Sequence, residues 1–175
     1  LHYQKLNKND ITPELFRAFH RRQIVTDCRR RENGQWVIRR DPFVDDWTAD
    51  DYDTLVRCLK NTAATGGLVC AAFLDGALKG FVSVEAMPLG SAGQYLDLSS
   101  LHVSEELRRM GIGRALFSIA KDFARERGAK KLYISSHSAV ESQAFYRSMG
   151  CVDALEPDAE HAKREPYDCQ LECAL

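Results

Sequence analysis

The chain has 175 residues, 45% hydrophobic, 28% charged and 9% aromatic, with a formal net charge of −1. That length and apolar content suit one domain with a sizeable core, and the near-neutral balance argues against a nucleic-acid partner. No run of about 18 apolar residues is present to span a bilayer, and LHYQKLNKND has no secretion-signal pattern, so a cytoplasmic protein without a membrane partner is expected.

Starting from the N-terminus, Thr12-Pro13 has the form of a helix start, and Leu15, Phe16 and Phe19 follow at helical spacing, which predicts a first helix over about 13–24. Arg17, Arg21, Arg22, Arg29, Arg30, Arg31, Arg39 and Arg40 crowd the stretch that follows and read as a solvated helix face. Next comes an acidic run, Asp41, Asp45, Asp46, Asp50, Asp51 and Asp53, with no cation among them. Thr48-x-x-Asp51 resembles a capping box, and Tyr52, Leu55, Val56 and Leu59 share one face, predicting a second helix that closes near Gly66-Gly67. LVCAAF and ALKGFVSVEA flank Asp75-Gly76, a two-residue turn that joins antiparallel strands.

YLDLSSLHV (95–103) reads as one strand. From Ile112 the apolar residues recur at 115, 116, 119, 120, 123 and 124, a helical stripe that stops at Gly128. KKLYIS (130–135) is a further strand, Ser138-x-x-Glu141 is expected to cap a helix carrying Ala144, Phe145 and Met149, and YDCQLECAL holds a last strand. The fold class is therefore α/β, a mixed and mainly antiparallel sheet flanked by helices in a single domain. Cys28, Cys58, Cys70, Cys151, Cys169 and Cys173 form no C-x-x-C pair; they are expected as reduced thiols, and no metal is expected.

Between strand and helix lies LRRMGIGRAL, two glycines among arginines. A Walker A loop fails for want of a Gly-Lys pair. A dinucleotide fingerprint fails because position 116 is Leu and seven residues separate Val103 from Gly111. What remains is an Arg-rich loop, Arg108, Arg109, Met110, Gly111, Ile112, Gly113 and Arg114, running into a helix N-terminus whose free N–H groups and dipole suit an anion.

Arg108-x-x-Gly111-x-Gly113 resembles the [QR]-x-x-G-x-[GA] signature of the GNAT N-acetyltransferases, with LSSLHV similar to the family's splayed strand and AFYRSMGCV to its closing motif. The resemblance covers roughly 68–155, and EPYDCQLE resembles tails of bacterial members of unassigned substrate. It implies an N-acetyltransferase that moves an acetyl group from acetyl-CoA to a primary amine of a small molecule or peptide. Residues 1–67 would be a helical acceptor-side region, 68–155 the acetyl-CoA-binding core and 156–175 a C-terminal strand region. A non-catalytic acyl-CoA sensor is the alternative, and a homodimer is compatible with either.

The resemblance implies that the glycine loop holds the pyrophosphate of acetyl-CoA, and that the backbone of Leu101, His102 and Val103 pairs with its pantetheine arm, freed from the sheet by a bulge. Tyr146 is the implied general acid. Asp97, flanked by Leu96 and Leu98, is the first choice of general base, with a carboxyl pKa raised by burial, and Glu85 the second. The asparagine that many relatives carry seven residues before the tyrosine is Ala139 here, so Ser142 or Ser138 is expected to supply that contact. For the acceptor, Asp45, Asp46 and Trp47, together with Glu85 and Asp97, are expected to attract and stack on a cationic amine.

Overall fold

The computed structural model describes all of residues 1–175. Strand β1 (His2–Lys5) leads through short 3-10 turns at Lys8–Asp10 and Pro13–Phe16 to β2 (Arg22–Glu32) and β3 (Gln35–Asp46). Helix α1 (Ala49–Ala64) follows, then β4 (Leu68–Leu74), β5 (Ala77–Val84), β6 (Pro88–Leu89), β7 (Tyr95–Asp97) and β8 (Ser100–Val103). The chain ends with α2 (Ile112–Glu126), β9 (Lys131–Ser136), α3 (Val140–Ser148), β10 (Val152–Asp153), α4 (Ala159–Arg164) and β11 (Cys169–Ala174). No helix is long and apolar enough to cross a membrane.

The strands form two main sheets, ordered β1-β4-β5-β8 and β10-β11-β9-β7-β6, plus the separate β2–β3 ribbon. All pairs are antiparallel except β7–β9, so the expected mixed, mainly antiparallel α/β fold is what forms. Alternation along β4 and β5 serves both faces, as the two-residue period of a strand requires. Cys70, Ala72, Val82 and Val84 enter a core with α2 and α3, while Val69, Ala71, Leu78 and Phe81 enter a second core with α1 and the N-terminal turns. Burial on both faces explains why these strands read as nearly continuous apolar runs. Gly80 allows α2 to lie close on β5, since a Cβ there would meet Ile112 Cγ2 at 3.0 Å and Leu116 Cδ1 at 3.1 Å.

The region before β4 departs from the helical expectation. Pro13 starts only a 3-10 turn, and Phe16 and Phe19 bury without a helix to carry them. Beyond Arg21 the chain extends into the ribbon, whose β-branched run Ile24-Val25-Thr26 favours a strand. Its turn is Asn33-Gly34, with φ of 48° and 79°, the left-handed pair that a tight hairpin needs. The arginine-rich stretch is thus a strand, not a helix face. The Thr48 capping box forms as expected, with Thr48 N donating to Asp51 Oδ2 at 2.7 Å. Ser138, by contrast, caps nothing: Ala139 occupies the N-cap of α3, and the Ser138 hydroxyl accepts from Arg30.

Candidate active site

The single strand expected over 95–103 breaks at Leu98-Ser99. β7 pairs with β9, whereas β8 pairs only with β5, so the two sheets part and leave one edge of β8 open. Ser104 N donates to Lys79 O at 2.8 Å, which sets the phase of the ladder. His102 and Ser104 therefore turn their main-chain groups toward β5, and Leu101 and Val103 turn theirs outward. In keeping with that phase, Val103 O accepts from Arg108 Nε at 3.2 Å. Ser99 N donates to Ser83 O at 3.0 Å and Glu85 N to Asp97 O at 2.8 Å, one residue out of step with the Ser83–Ser100 pairing of β8, so the expected bulge forms at Ser99-Ser100 and acts with the parting to free the strand edge. The parting opens a cleft of about 900 Å³, walled by β8, the glycine loop, α3, the end of β9 and the start of β2.

On one side of the cleft the glycine loop reaches α2. Gly111 is the N-cap with φ of 85°, a conformation that favours glycine, and no side chain caps the helix. The first in-helix bond runs from Ala115 N to Gly111 O, so the N–H groups of Ile112, Gly113 and Arg114 have no carbonyl within the helix. Arg109 is held at φ of 64°, rare for a residue with a side chain. Arg108, Arg109, Gly111, Gly113 and Arg114 all line the cleft. The Ile112 side chain instead joins the core, and Met110 is exposed, so these two meet the cleft through main chain at most. A Cβ on Gly113 would only reach ordinary contact with the Phe145 ring at 3.4 Å, so the protein does not demand glycine there.

Helix α3 supplies Glu141, Ser142, Ala144, Phe145, Tyr146 and Ser148 to the opposite wall. Tyr146 is largely buried among apolar side chains, and burial, with Cys151, Asp168 and Asp97 nearby, pushes its hydroxyl well above the ordinary phenol range. Ser142 reaches the cleft, whereas Ser138 is committed to Arg30.

The remaining wall comes from residues that the sequence alone did not single out: Arg21 just before the ribbon, Gln23 and Ile24 within it, Ser135 and Ser136 at the end of β9, and His137 beyond it. The ribbon is seated there by Arg29 N donating to Ser138 O at 2.8 Å and by a bridge between Cys28 and Ala139. Arg21 donates from Nε to His102 Nδ1 at 3.2 Å and from Nη2 to Asp45 Oδ2 at 2.6 Å, and packs over the Trp47 ring. Burial, then the charges of Arg21 and Arg108, pull the His102 imidazole down to about 3, so it is neutral. Burial likewise lowers His137, whose Nδ1 accepts from Ala139 N at 3.0 Å.

None of the five residues expected to hold a cationic acceptor lines the cleft. Asp45 is spent on Arg21, Trp47 packs edge-on against His102 with ring centroids 4.8 Å apart, and Asp46 is exposed in the ribbon. Glu85 accepts from Thr62 Oγ1 and Ser99 Oγ, each at 2.7 Å, behind the cleft wall. Asp97 is buried, but its Oδ2 pairs with His161 Nε2 at 2.9 Å, and His161 Nδ1 meets Asp158 Oδ1 at 2.8 Å. The hydrogen bond that His161 donates to Asp97 is the main reason that the imidazole is pushed up to about 9. Asp97 is therefore a structural counter-ion rather than the lone apolar-flanked carboxyl expected of a base. No group of three or more His, Cys, Asp or Glu could hold a metal ion.

Residues 32–151 match the model of the acetyltransferase (GNAT) family. The chain is similar in structure to nourseothricin acetyltransferase, with a TM-score of 0.67, 22% identity and coverage of 98% of this chain and 95% of that one. It is also similar to a Bacillus anthracis str. Ames protein provisionally named a streptothricin acetyltransferase, in complex with acetyl coenzyme A (TM-score 0.73, 14% identity, 99% and 98% covered). A third likeness is to aminoglycoside 6'-acetyltransferase type Ii (TM-score 0.63, 15% identity, 99% and 97% covered). At these identities the likeness speaks to the fold alone. None of the curated proteins compared with the chain matches it.

Proposed function

Since this chain belongs to the acetyltransferase (GNAT) family, matching it over residues 32–151, we propose that it transfers an acetyl group from acetyl-CoA to a primary amine, by direct attack with both bound. The observation that carries this reading is the open edge of β8 sharing one cleft with the N-terminus of α2, which no side chain caps, at the far end of the glycine loop. Amide N–H groups and three arginines suit a diphosphate at that end, and the outward main chain of Leu101 and Val103 suits an amide-bearing arm. Residues 68–155 form the coenzyme half in this reading, and the β2–β3 ribbon the acceptor half.

Acetyl-CoA supplies the activated acetyl group as a thioester. An outward N–H of β8 polarises its carbonyl, and Tyr146, protonated and beside the cleft, donates to the departing sulfur. Asp97 and Glu85 are held off the cleft, and in both histidines the Nδ1 atom accepts a protein hydrogen bond, leaving the proton on Nε2. We therefore assign the proton of the incoming ammonium to solvent. The same cleft wall that would serve a sensor carries Tyr146, which favours turnover over binding alone.

The test is a calorimetric titration with acetyl-CoA alongside an assay of CoA release. Wild type should bind, and Gly113→Glu should not, because a carboxylate would occupy the anion site, while a Cβ at that position makes only ordinary contacts with the fold. Wild-type affinity in that variant would overturn the assignment of the loop.

A further inference from the structure

The cleft wall holds four arginines, Arg21, Arg108, Arg109 and Arg114, against one acid, Glu141. Three of them surround the N-terminus of α2 and are accounted for by the phosphates of a coenzyme. Arg21 is not. It arrives from the opposite side, at the foot of the ribbon, on the face of β8 where His102 packs against Phe81 and Trp47.

Arg21 is also unusually constrained. Its side chain is only 7% exposed, its main-chain N–H donates to Tyr52 Oη at 3.2 Å, and its carbonyl accepts from Trp47 N at 3.1 Å. Two of its guanidinium nitrogens are used, Nε on His102 and Nη2 on Asp45. The third, Nη1, is buried with no partner. A buried charged donor left unpaired is costly, and native structures rarely keep one without a use. Packing over Trp47 would be served as well by an apolar side chain. What a guanidinium adds is a planar fork that matches a carboxylate.

Resting on the acetyltransferase reading above, we propose that the acceptor is an amino carboxylate, such as a free amino acid, and that Arg21 Nη1 binds its carboxylate. Small repacking at the cleft wall brings the two together as the acceptor enters. Asp45 offsets part of the charge of Arg21 and holds the fork in place, as a positioning residue. A polycationic amine is disfavoured at the same place, because it meets four arginines with Glu141 as the one carboxylate on the cleft wall. The other acidic residues nearby are already engaged or lie away from the cleft, with Asp45 on Arg21 and Asp51 in the α1 cap.

The experiment compares kcat/KM for acetyl-CoA-dependent acetylation of free amino acids, their C-terminal amides, spermidine and an aminoglycoside. For at least one amino acid the free acid should exceed its amide by roughly tenfold or more, the range of a hydrogen bond to a charged group. Arg21→Met and Arg21→Lys should bring the acid-to-amide ratio toward one, a readout that a purely structural role of Arg21 would not move. The wild-type ratio alone decides the matter should both variants misfold. Amides acetylated as well as acids, preferred turnover of the polycations, or no turnover of any amino acid would overturn the proposal. Acetyl-CoA binding, measured in parallel by calorimetry, separates that failure from failure of the acetyltransferase reading itself.

Discussion

Tyr146 stays protonated across the working pH range because burial disfavours the phenolate and the nearby Cys151, Asp168 and Asp97 add to that effect. A donor to a leaving thiolate needs that property, and Tyr146→Phe removes it with little change in shape. We expect kcat to fall about 100-fold with the calorimetric affinity for acetyl-CoA unchanged. Unchanged turnover would exclude Tyr146 from the proton transfer. Tyr146 was legible in the sequence through its motif. Arg21 was not, since it is one arginine among many in its stretch, and its partners Asp45 and His102 lie 24 and 81 positions away. The pairing of Asp97 was hidden for a related reason: its flanking leucines were visible, but the histidine that pairs with it lies 64 positions on.

At the scale of elements, α4 is a six-residue helix that is held to β7 through His161. The folded-state pKa of His161 is raised to about 9 from an ordinary value of 6.5. The added stability is therefore complete below about pH 6.5 and lost as pH rises through about 9. Asp158 is lowered by the same imidazole, so its share is present above the ordinary carboxyl range and lost as pH falls. Thermal unfolding of wild type and His161→Gln should differ most near pH 5–6.5, with the gap shrinking between about pH 6.5 and 9 and gone above that. A gap that does not depend on pH would mean that the pair contributes packing alone. Helix α2 was plain from its unbroken apolar stripe, whereas α4 has too few residues for a period to show. The ribbon was within reach of the sequence, because Asn33-Gly34 is a strong hairpin signal. The Pro13 start and the spacing of Phe16 and Phe19 point instead to a helix, although those phenylalanines bury from a turn as readily as from a helix.

For the whole molecule, the cleft combines a neutral His102 and a lowered His137 with a single carboxylate, Glu141, and in the proposed reaction the acceptor loses its proton to water. The logarithm of kcat/KM should thus rise with unit slope up to the pKa of the acceptor's own ammonium group, and shift when amines of different basicity are compared. A plateau at one pH for all amines, abolished by Glu141→Gln, would instead give the base role to the one acid on the cleft wall. By itself the sequence determined the α/β class, the β4–β5 hairpin, α2 and the glycine loop that opens it, because each rests on local periodicity or on turn and cap chemistry between near neighbours. Only the tertiary structure decided where 95–103 breaks, that the ribbon rather than a helix closes the cleft, and which charged side chains face it. Those outcomes depend on pairings between residues far apart in the chain, and on which of several like residues burial leaves without a partner.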